Sequence, residues 1–300
     1  MCTQGGRLAF DRFRLVVQIT GLALMLVSGC HVVFAHPDLQ LQIDQLSAQL
    51  EHDPDNVDLL LRRGDLQRRH EHWDLARLDF DRVREIQPDN DTVDWFEGRM
   101  EVQSGNAAEG VRYLERFLLN NPGHVIALQN RAEGYLLLNQ SLLAAKDFET
   151  VIRESDKPAP SIYASGALAY IAAGANHYSA AMDLVQKGLS LFPNEITLTG
   201  IATDLSLARS DLDAAKRLIN SLPVAVLNLP QWQTRIALLD CQAGNKTEAT
   251  QRFTNSLVAS QGVQVAPDFL PENWLARLAA DPSADNCQAA VVELLDSPRR

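Results

Sequence analysis

The feature that most constrains the fold is a proline that recurs at a fixed interval. Pro54, Pro88 and Pro122 lie 34 residues apart, in the segments "EHDPDN", "EIQPDN" and "LNNPGH". Because proline has no backbone N–H and cannot continue a helix, each of these segments is typical of a helix end and a turn. A helix end repeated at a constant interval indicates an array of similar structural units.

Small and large side chains recur within the same frame. The window 57–90 has Gly64 at position 8, Ala76 at position 20, Phe80 at position 24 and Pro88 at position 32. Small residues at positions 8 and 20 favour two helices that approach closely, and a large apolar residue at position 24 fills the space between them. Each such hairpin leaves apolar surface that only its neighbour covers, so the units are expected to stack.

The remaining chain keeps this phase with local departures. The windows are 57–90, 91–124, 125–158, 162–195, 196–229 and 230–263, with three inserted residues at 159–161. Gly110 falls at position 20 of its window and Gly188 at position 27, and the last two windows lack the glycine at position 8.

The 34-residue pattern resembles the tetratricopeptide repeat, which often has an aromatic at position 17, here Trp73. The resemblance implies an all-α fold: a right-handed superhelical solenoid of antiparallel helix pairs with helical caps. Residues 36–56 would form an N-terminal capping helix, with Leu39 and Ile43 on one face. Residues 264–300 would form C-terminal capping helices, with Trp274 and Leu278 over the last hairpin.

The first 35 residues have the pattern of an export signal. Arg7, Arg12 and Arg14 precede the mostly apolar, uncharged stretch 15–29, which is shorter than the roughly 20 residues of a membrane-spanning helix. An uncleaved signal-anchor helix is the alternative. The sequence therefore predicts an exported protein, and a bacterial envelope is the expected setting.

Two cleavage sites compete within this segment. "LVSGC" at 26–30 resembles the lipobox of bacterial lipoproteins, in which Cys30 would be lipidated. "VFA", ending at Ala35, fits ordinary signal cleavage. The first would give an outer-membrane lipoprotein and the second a periplasmic or secreted protein. A membrane association is expected only through such a lipid or an uncleaved signal.

Charge argues against a nucleic-acid ligand. The formal net charge is −11, which repels phosphate backbones, and no basic stripe with interleaved aromatic residues offsets it. The apolar content of 46% and the charged content of 22% are ordinary for a soluble chain.

The cysteines Cys241 and Cys287 have two interpretations. In an oxidising compartment they could form a disulfide between the last repeat and the C-terminal helix. Alternatively, they are two small buried side chains that do not meet.

The sequence carries no pattern typical of an enzyme. It has no nucleophile elbow, phosphate-binding glycine loop, H-E-x-x-H or paired C-x-x-C motif. "HEHWD" at 70–74 brings two histidines together, but their spacing places them on different faces of a helix or in a turn. We therefore expect no catalytic residue, no cofactor and no metal site.

The resemblance implies a groove lined by the first helix of each repeat. Its positions 2, 5, 9, 12 and 13 correspond in this chain to candidates that include Asp65, Arg68, Arg69, Trp95, Arg99, Gln129, Glu133, Tyr163 and Tyr170. Trp95 with Arg99 is the leading pair, because exposed aromatic and arginine side chains dominate interface energies. The alternative is that Trp95 is a core residue displaced by one position.

One subset of the family binds the C-terminal carboxylate of chaperone tails through Lys and Asn at positions 5 and 9. The corresponding residues here are Leu61, Asp65, Trp95, Arg99, Gln129 and Glu133. A chaperone-tail function is therefore not implied by the resemblance.

These observations predict a non-catalytic scaffold or adaptor of the cell envelope that binds a peptide or protein segment in a concave groove. Two alternatives remain open: a lipid-anchored factor for assembly of an envelope complex, and an accessory repeat subunit of an enzyme system.

Overall fold

The computed structural model describes residues 37–260 and 277–296. The predicted export segment 1–35 with Cys30, and the predicted contact of Trp274, lie outside these ranges.

The described chain is helical and contains no strand. Its helices are α1 (Pro37–His52), α2 (Val57–Arg69), α3 (Trp73–Ile86), α4 (Thr92–Gln103), α5 (Ala107–Asn120), α6 (Val125–Leu137), α7 (Ser141–Glu154), α8 (Pro160–Ala172), α9 (Tyr178–Leu191), α10 (Ile196–Ala208), α11 (Leu212–Asn220), α12 (Val224–Leu227), α13 (Pro230–Gln242), α14 (Lys246–Ser260) and α15 (Ala284–Asp296). A 3₁₀ turn, Ala175–His177, precedes α9, and residues 277–280 are also helical.

The helices pair and stack as the repeat pattern predicts. Pro54, Pro88 and Pro122 lie in the turns that follow α1, α3 and α5. Within each window the two helices pack against each other, and first helices of neighbouring windows also touch, as α4 does with α6 and α10 with α13. Second helices of neighbouring windows make no comparable contacts within the described ranges. The first helices therefore form the inner surface of a curved stack, and the all-α solenoid is confirmed.

Close helix approach explains the small residues of the first two windows. A Cβ added to Gly64 would collide with the ring of Phe80, which is completely buried. In the next window, a Cβ on Gly98 would lie 2.6 Å from Cγ of Leu114. Position 8 is therefore small because the side chain at position 24 packs directly on it.

The departure at Gly110 marks an even closer approach. A Cβ there would lie 2.7 Å from both the carbonyl oxygen of Gly98 and the backbone nitrogen of Val102. Since both are backbone atoms, no side-chain rotation could relieve the contact. The second helix of this window thus rests on the backbone of the first.

Ion pairs between the two helices of a hairpin recur with the repeat. Arg63 donates from Nε and Nη2 to the carboxylate of Asp79 at 2.9 and 2.6 Å. Arg131 bonds Asp147 in the same bidentate way, at 2.8 and 2.7 Å. Both pairs join position 7 to position 23, and hydrogen bonding to the carboxylate helps to raise the pKa of each arginine.

The two ends of the stack are covered differently. At the N-terminal end α1 packs on α2, where Leu39 and Ile43 form a cluster with Leu66. At the other end Leu278 is buried with Leu238 and Phe253 of the last hairpin.

The C-terminal helix reaches beyond the last hairpin. α15 contacts α8, α10 and α13, the first helices of three successive windows. It therefore lies along the inner surface of the C-terminal half, a position that the sequence analysis, which predicted C-terminal capping helices, did not specify.

A disulfide joins α15 to this surface. Cys241 of α13 is bonded to Cys287 of α15, with a Cα–Cα distance of 6.4 Å. Nearby, Nε2 of Gln288 donates to the carbonyl oxygen of Ala208 at 2.9 Å. The helix is thus held by a covalent bond, by a polar contact and by burial of Val291 and Leu294.

Replacing Gly110 by alanine should destabilise the protein by about 1–3 kcal/mol, because the added methyl group overpacks a backbone contact. Gly123→Ala is the matched control, since its Cβ would approach nothing closer than 3.5 Å, the flexible side chain of Glu154. Urea unfolding followed by circular dichroism measures both. Equal stability of the two variants would contradict the packing argument.

Replacing both Cys241 and Cys287 by serine should lower the free energy of unfolding by about 2–4 kcal/mol, because the bond closes a loop with a sequence separation of 46. Denaturant titration with and without a reducing agent checks this. The reductant should shift the midpoint of the native protein and leave the double variant unchanged. Insensitivity of the native protein would show that the bond does not contribute.

Candidate functional site

The main cavity of interest lies at the N-terminal end of the inner surface. It has a volume of about 660 Å³ and lies between α1, the end of α2, the following turn and α4. Its walls are formed by Asp38, Leu39, Gln42, Arg68, Arg69, Glu71, Trp73, Arg99 and Gln103. Three of the groove candidates from the sequence analysis, Arg68, Arg69 and Arg99, therefore come together in one place.

Asp65 lies between two of these arginines. Its Oδ1 accepts from Nε of Arg68 at 2.8 Å and from Nη1 of Arg99 at 3.5 Å. Arg68 also donates from Nη1 to Oε1 of Gln103. The side chain of Arg68 is only 3% exposed, so it is fixed within the wall of the cavity. We call Asp65, Arg68, Arg69, Arg99 and Gln103 the arginine cluster.

Not every donor of this cluster has an acceptor. Within the described ranges, Nη2 of Arg68 and Nε of Arg99 are buried and have no hydrogen-bond partner. A buried donor without a partner costs about 1–3 kcal/mol, and such groups are rare in folded proteins.

The environment of Arg99 disfavours its charge. Burial lowers the pKa of Arg99, and the neighbouring charges of Arg68 and Arg69 lower it further, while Asp65 and Glu133 oppose the shift. The group remains protonated near neutral pH, because arginine begins from a very high pKa.

Glu133 extends the surface onto α6. It is exposed, yet desolvation by the surrounding walls raises its pKa, against the opposing effects of Arg99 and a hydrogen bond with Asn130. Gln129, one helical turn earlier, is partly exposed. Glu133 of the third window thus lies close enough to Arg99 for their charges to interact.

Trp95 does not stand free in the groove. Its ring centroid lies 4.9 Å from Phe96, 4.7 Å from His124 and 6.0 Å from Phe117. Its Nε1 lies 3.4 Å from Oδ1 of Asn130. Trp95 is therefore a partly buried packing residue, as in the alternative interpretation, and its joint contact with a ligand through Arg99 stays a prediction.

Tyr163 and Tyr170 also differ from the groove prediction, because both are buried. Gly188 leaves room for Tyr163 to pack against α9, since a Cβ at Gly188 would lie 3.0 Å from Cβ of Tyr163. The ring of Tyr170 is stacked on His177. Burial raises the pKa of Tyr170 to about 12, with a hydrogen bond to Glu149 contributing.

The inner surface of the last two windows is also covered. Asp204 of α10 occupies a groove position but is 0% exposed, and it forms a bidentate ion pair with Arg235 at 2.7 and 2.8 Å. The Arg235 guanidinium lies 5.0 Å from the centroid of the Trp232 ring. With α15 packed on α10 and α13, little of this half is open to a ligand.

The two histidines of "HEHWD" contact each other across the α2–α3 turn, with ring centroids 4.3 Å apart. Over residues 37–260 and 277–296, no three His, Cys, Asp or Glu side chains converge as metal ligands. No helix in these ranges combines the length and apolar content needed to cross a bilayer.

Several residues that line the cavity were not among the groove candidates predicted from the sequence. Gln103 was omitted although it has position 13 of its window, the same position as Arg69. Asp38 and Gln42 belong to α1, whose partial repeat has no complete window to align. Of these residues, only Gln103 could have been identified from its repeat position.

Comparison with known proteins agrees with this architecture. No protein-family model matches the chain, and neither does any curated protein sequence. Among solved structures, YrrB, a TPR protein with an unusual peptide-binding site, has a TM-score of 0.50 at 10% identity, covering 61% of this chain and 93% of that one. A tetratricopeptide repeat protein from Parabacteroides merdae is 18% identical over 81% of this chain and 91% of its own, with a TM-score of 0.49.

The helix pairs, their 34-residue spacing and the similarity to YrrB define a helical-hairpin solenoid. This protein has the tetratricopeptide-repeat fold.

Arg235→Met should destabilise the protein by about 3–5 kcal/mol, because it leaves the carboxylate of Asp204 buried without its main ionic partner. Arg252→Met is the matched control, since Arg252 is 37% exposed and its pair with Asp240 is worth about 0–1 kcal/mol. Thermal and denaturant unfolding compare the two. If both variants lost equally little stability, the C-terminal half would not be closed as described.

Proposed function

We propose that the protein is a non-catalytic interaction scaffold that binds a segment of a partner protein on the inner surface of its first three repeats. The observation that carries this proposal is the cavity of about 660 Å³ between α1, α2 and α4, with the arginine cluster in its wall. The C-terminal half of the same surface is covered by α15. A partner segment would therefore bind at the N-terminal half.

The physical basis is a preformed surface. The groove residues lie on helices whose positions are fixed by close packing, so little ordering of the scaffold is required on binding. The solved structure of YrrB is described as having a peptide-binding site, and the same use of the fold is part of our proposal. No covalent step is involved.

Export to an oxidising compartment is a second part of the proposal. It rests on the basic and apolar pattern of residues 1–35. The Cys241–Cys287 bond supports it, because disulfides persist mainly outside the reducing cytosol. The lipobox-like "LVSGC" keeps attachment through Cys30 as a variant of this localisation, which the intact mass of the mature protein distinguishes.

Photo-cross-linking tests the groove. The cross-linker p-benzoylphenylalanine is placed at Gln42, which lines the cavity and is exposed, and separately at Glu133. On irradiation in cells that make the protein, both positions should capture the same partner. The matched control is Lys146, an exposed residue on the second helix of the third hairpin.

Equal capture at Lys146 and at the two groove positions would show that the contact is not confined to the inner surface, which would contradict the proposal. A partner captured by Lys146 and missed by both groove positions would contradict the proposal. Identical unfolding curves for the three labelled proteins would show that the cross-linker has not disturbed the fold.

A further inference from the structure

A second cavity lies between α9, α10 and α11, away from the inner surface. It has a volume of about 320 Å³, at the lower end of the roughly 300–1,000 Å³ typical of small-molecule pockets. Its floor includes Ala202 and Ser206 of α10, which occupy positions 7 and 11 of the fifth window and not the groove positions.

The first and third windows show what fills the corresponding space in other hairpins. Arg63, at position 7 of its window, bonds Asp79 at position 23 and donates from Nη1 to the hydroxyl of Ser47 at 3.2 Å. Ser47 lies on α1, at position 25 of the partial repeat that precedes the first window. Arg131 and Asp147 form the same pair in the third window. An arginine at position 7 thus occupies the space between neighbouring helices.

The fifth window has no arginine at this position. Its residues at positions 7 and 23 are Ala202 and Leu218, and Gln186 of α9 has position 25 of the fourth window. All three line the cavity. Because Ala202 is too short to fill the space and Leu218 cannot accept a hydrogen bond, the gap between the helices stays open. The cavity is therefore the counterpart of the volume that Arg63 and Arg131 fill in their own windows.

The interior of this cavity is apolar. Met182, Leu189 and Leu218 line it, and they belong to or pack against one large apolar cluster. The hydroxyl of Ser206 already donates to the carbonyl oxygen of Ala202 at 2.8 Å. The interior therefore suits a hydrocarbon chain, in which each buried methylene strengthens binding by a factor of roughly three to four.

The mouth of the cavity carries more positive than negative charge. Arg209 and Arg217 line it and are exposed, and neither forms an ion pair within the part of the chain that the structure describes. Asp211 is the one carboxylate among the lining residues, and its Oδ1 accepts from a backbone N–H at 3.0 Å as the N-cap of α11. Asp213 and Lys216, both exposed on α11, add one charge of each sign.

We infer that this cavity binds a small anionic amphiphile, with its alkyl chain between α9 and α11 and its carboxylate at Arg209 and Arg217. The shape of the cavity would also admit an arginine side chain of a partner. Such a cation is disfavoured, because Leu218 stands where Asp79 accepts in the first window and the two arginines at the mouth repel it. The site is separate from the inner surface and does not rest on the proposed function.

The test follows the carbon-13-labelled methionine methyl groups of the full protein by NMR. Met182 lines the cavity, and Met100, which is 0% exposed in α4, reports effects elsewhere. The probes are octanoate, butyrate, octylammonium and N-acetylleucine, below the concentrations at which any of them forms micelles. Octanoate should shift the Met182 signal saturably and leave Met100 unmoved. It should bind roughly tenfold or more tightly than butyrate, because its longer chain buries more apolar surface.

Variants connect the shift to the cavity. Ala202→Arg with Leu218→Asp recreates the pair of the first window, so it should fill the space and abolish the octanoate shift of Met182. Arg209→Gln with Arg217→Gln should weaken octanoate binding by roughly fivefold or more, because two exposed ionic contacts are lost. Arg153→Gln, an exposed arginine on α7, is the matched control and should leave the binding unchanged. Unfolding curves show that each variant is folded.

Several results would overturn the inference. One is the lack of a saturable Met182 shift with octanoate, and another is an equal shift of Met100. Undiminished octanoate binding in either double variant, or octylammonium binding as tight as octanoate binding, would do the same. Tighter binding of N-acetylleucine than of octanoate would assign the cavity to the terminal residue of a partner protein and not to an amphiphile.

Discussion

The structure depends on how closely the two helices of each hairpin approach. Gly64 lies directly under the ring of Phe80, and Gly98 under Leu114. At Gly110 the contact is between a helix and the backbone of its partner. Because such contacts leave no room for adjustment, each hairpin is a rigid unit, and the inner surface inherits its shape from the sum of these contacts. The shape of that surface is therefore fixed before any ligand binds.

Much of this fold could be predicted from the sequence because its determinants are local. The prolines end helices wherever they occur, and small residues sixteen positions before a large one report a helix contact within the same hairpin. The return of α15 to the inner surface could not be predicted in this way. Its apolar residues, such as Val291 and Leu294, indicate an amphipathic helix, but its partners on α8 and α10 are far away in sequence.

The candidate site was predicted in part, for a related reason. Repeat positions placed Arg68, Arg69 and Arg99 among the groove candidates, and these three line one cavity because position determines which way a helical side chain faces. Position does not determine burial. Trp95 lies in an aromatic cluster with His124, and Tyr163 turns inward where Gly188 leaves space. His124 lies in the same window as Trp95, and Gly188 in the same window as Tyr163, but the repeat pattern does not specify which side chains occupy these partner positions.

Helix α15, which the Cys241–Cys287 disulfide attaches to α13, makes the two ends of the inner surface different. In an open solenoid a bound chain could run along the whole length and leave at either end. Here α15 lies across the first helices of the fourth, fifth and sixth windows and blocks that path. The inner surface is therefore open at its N-terminal half only, so that a segment bound there would have to end, or turn toward solvent, near the middle of the stack.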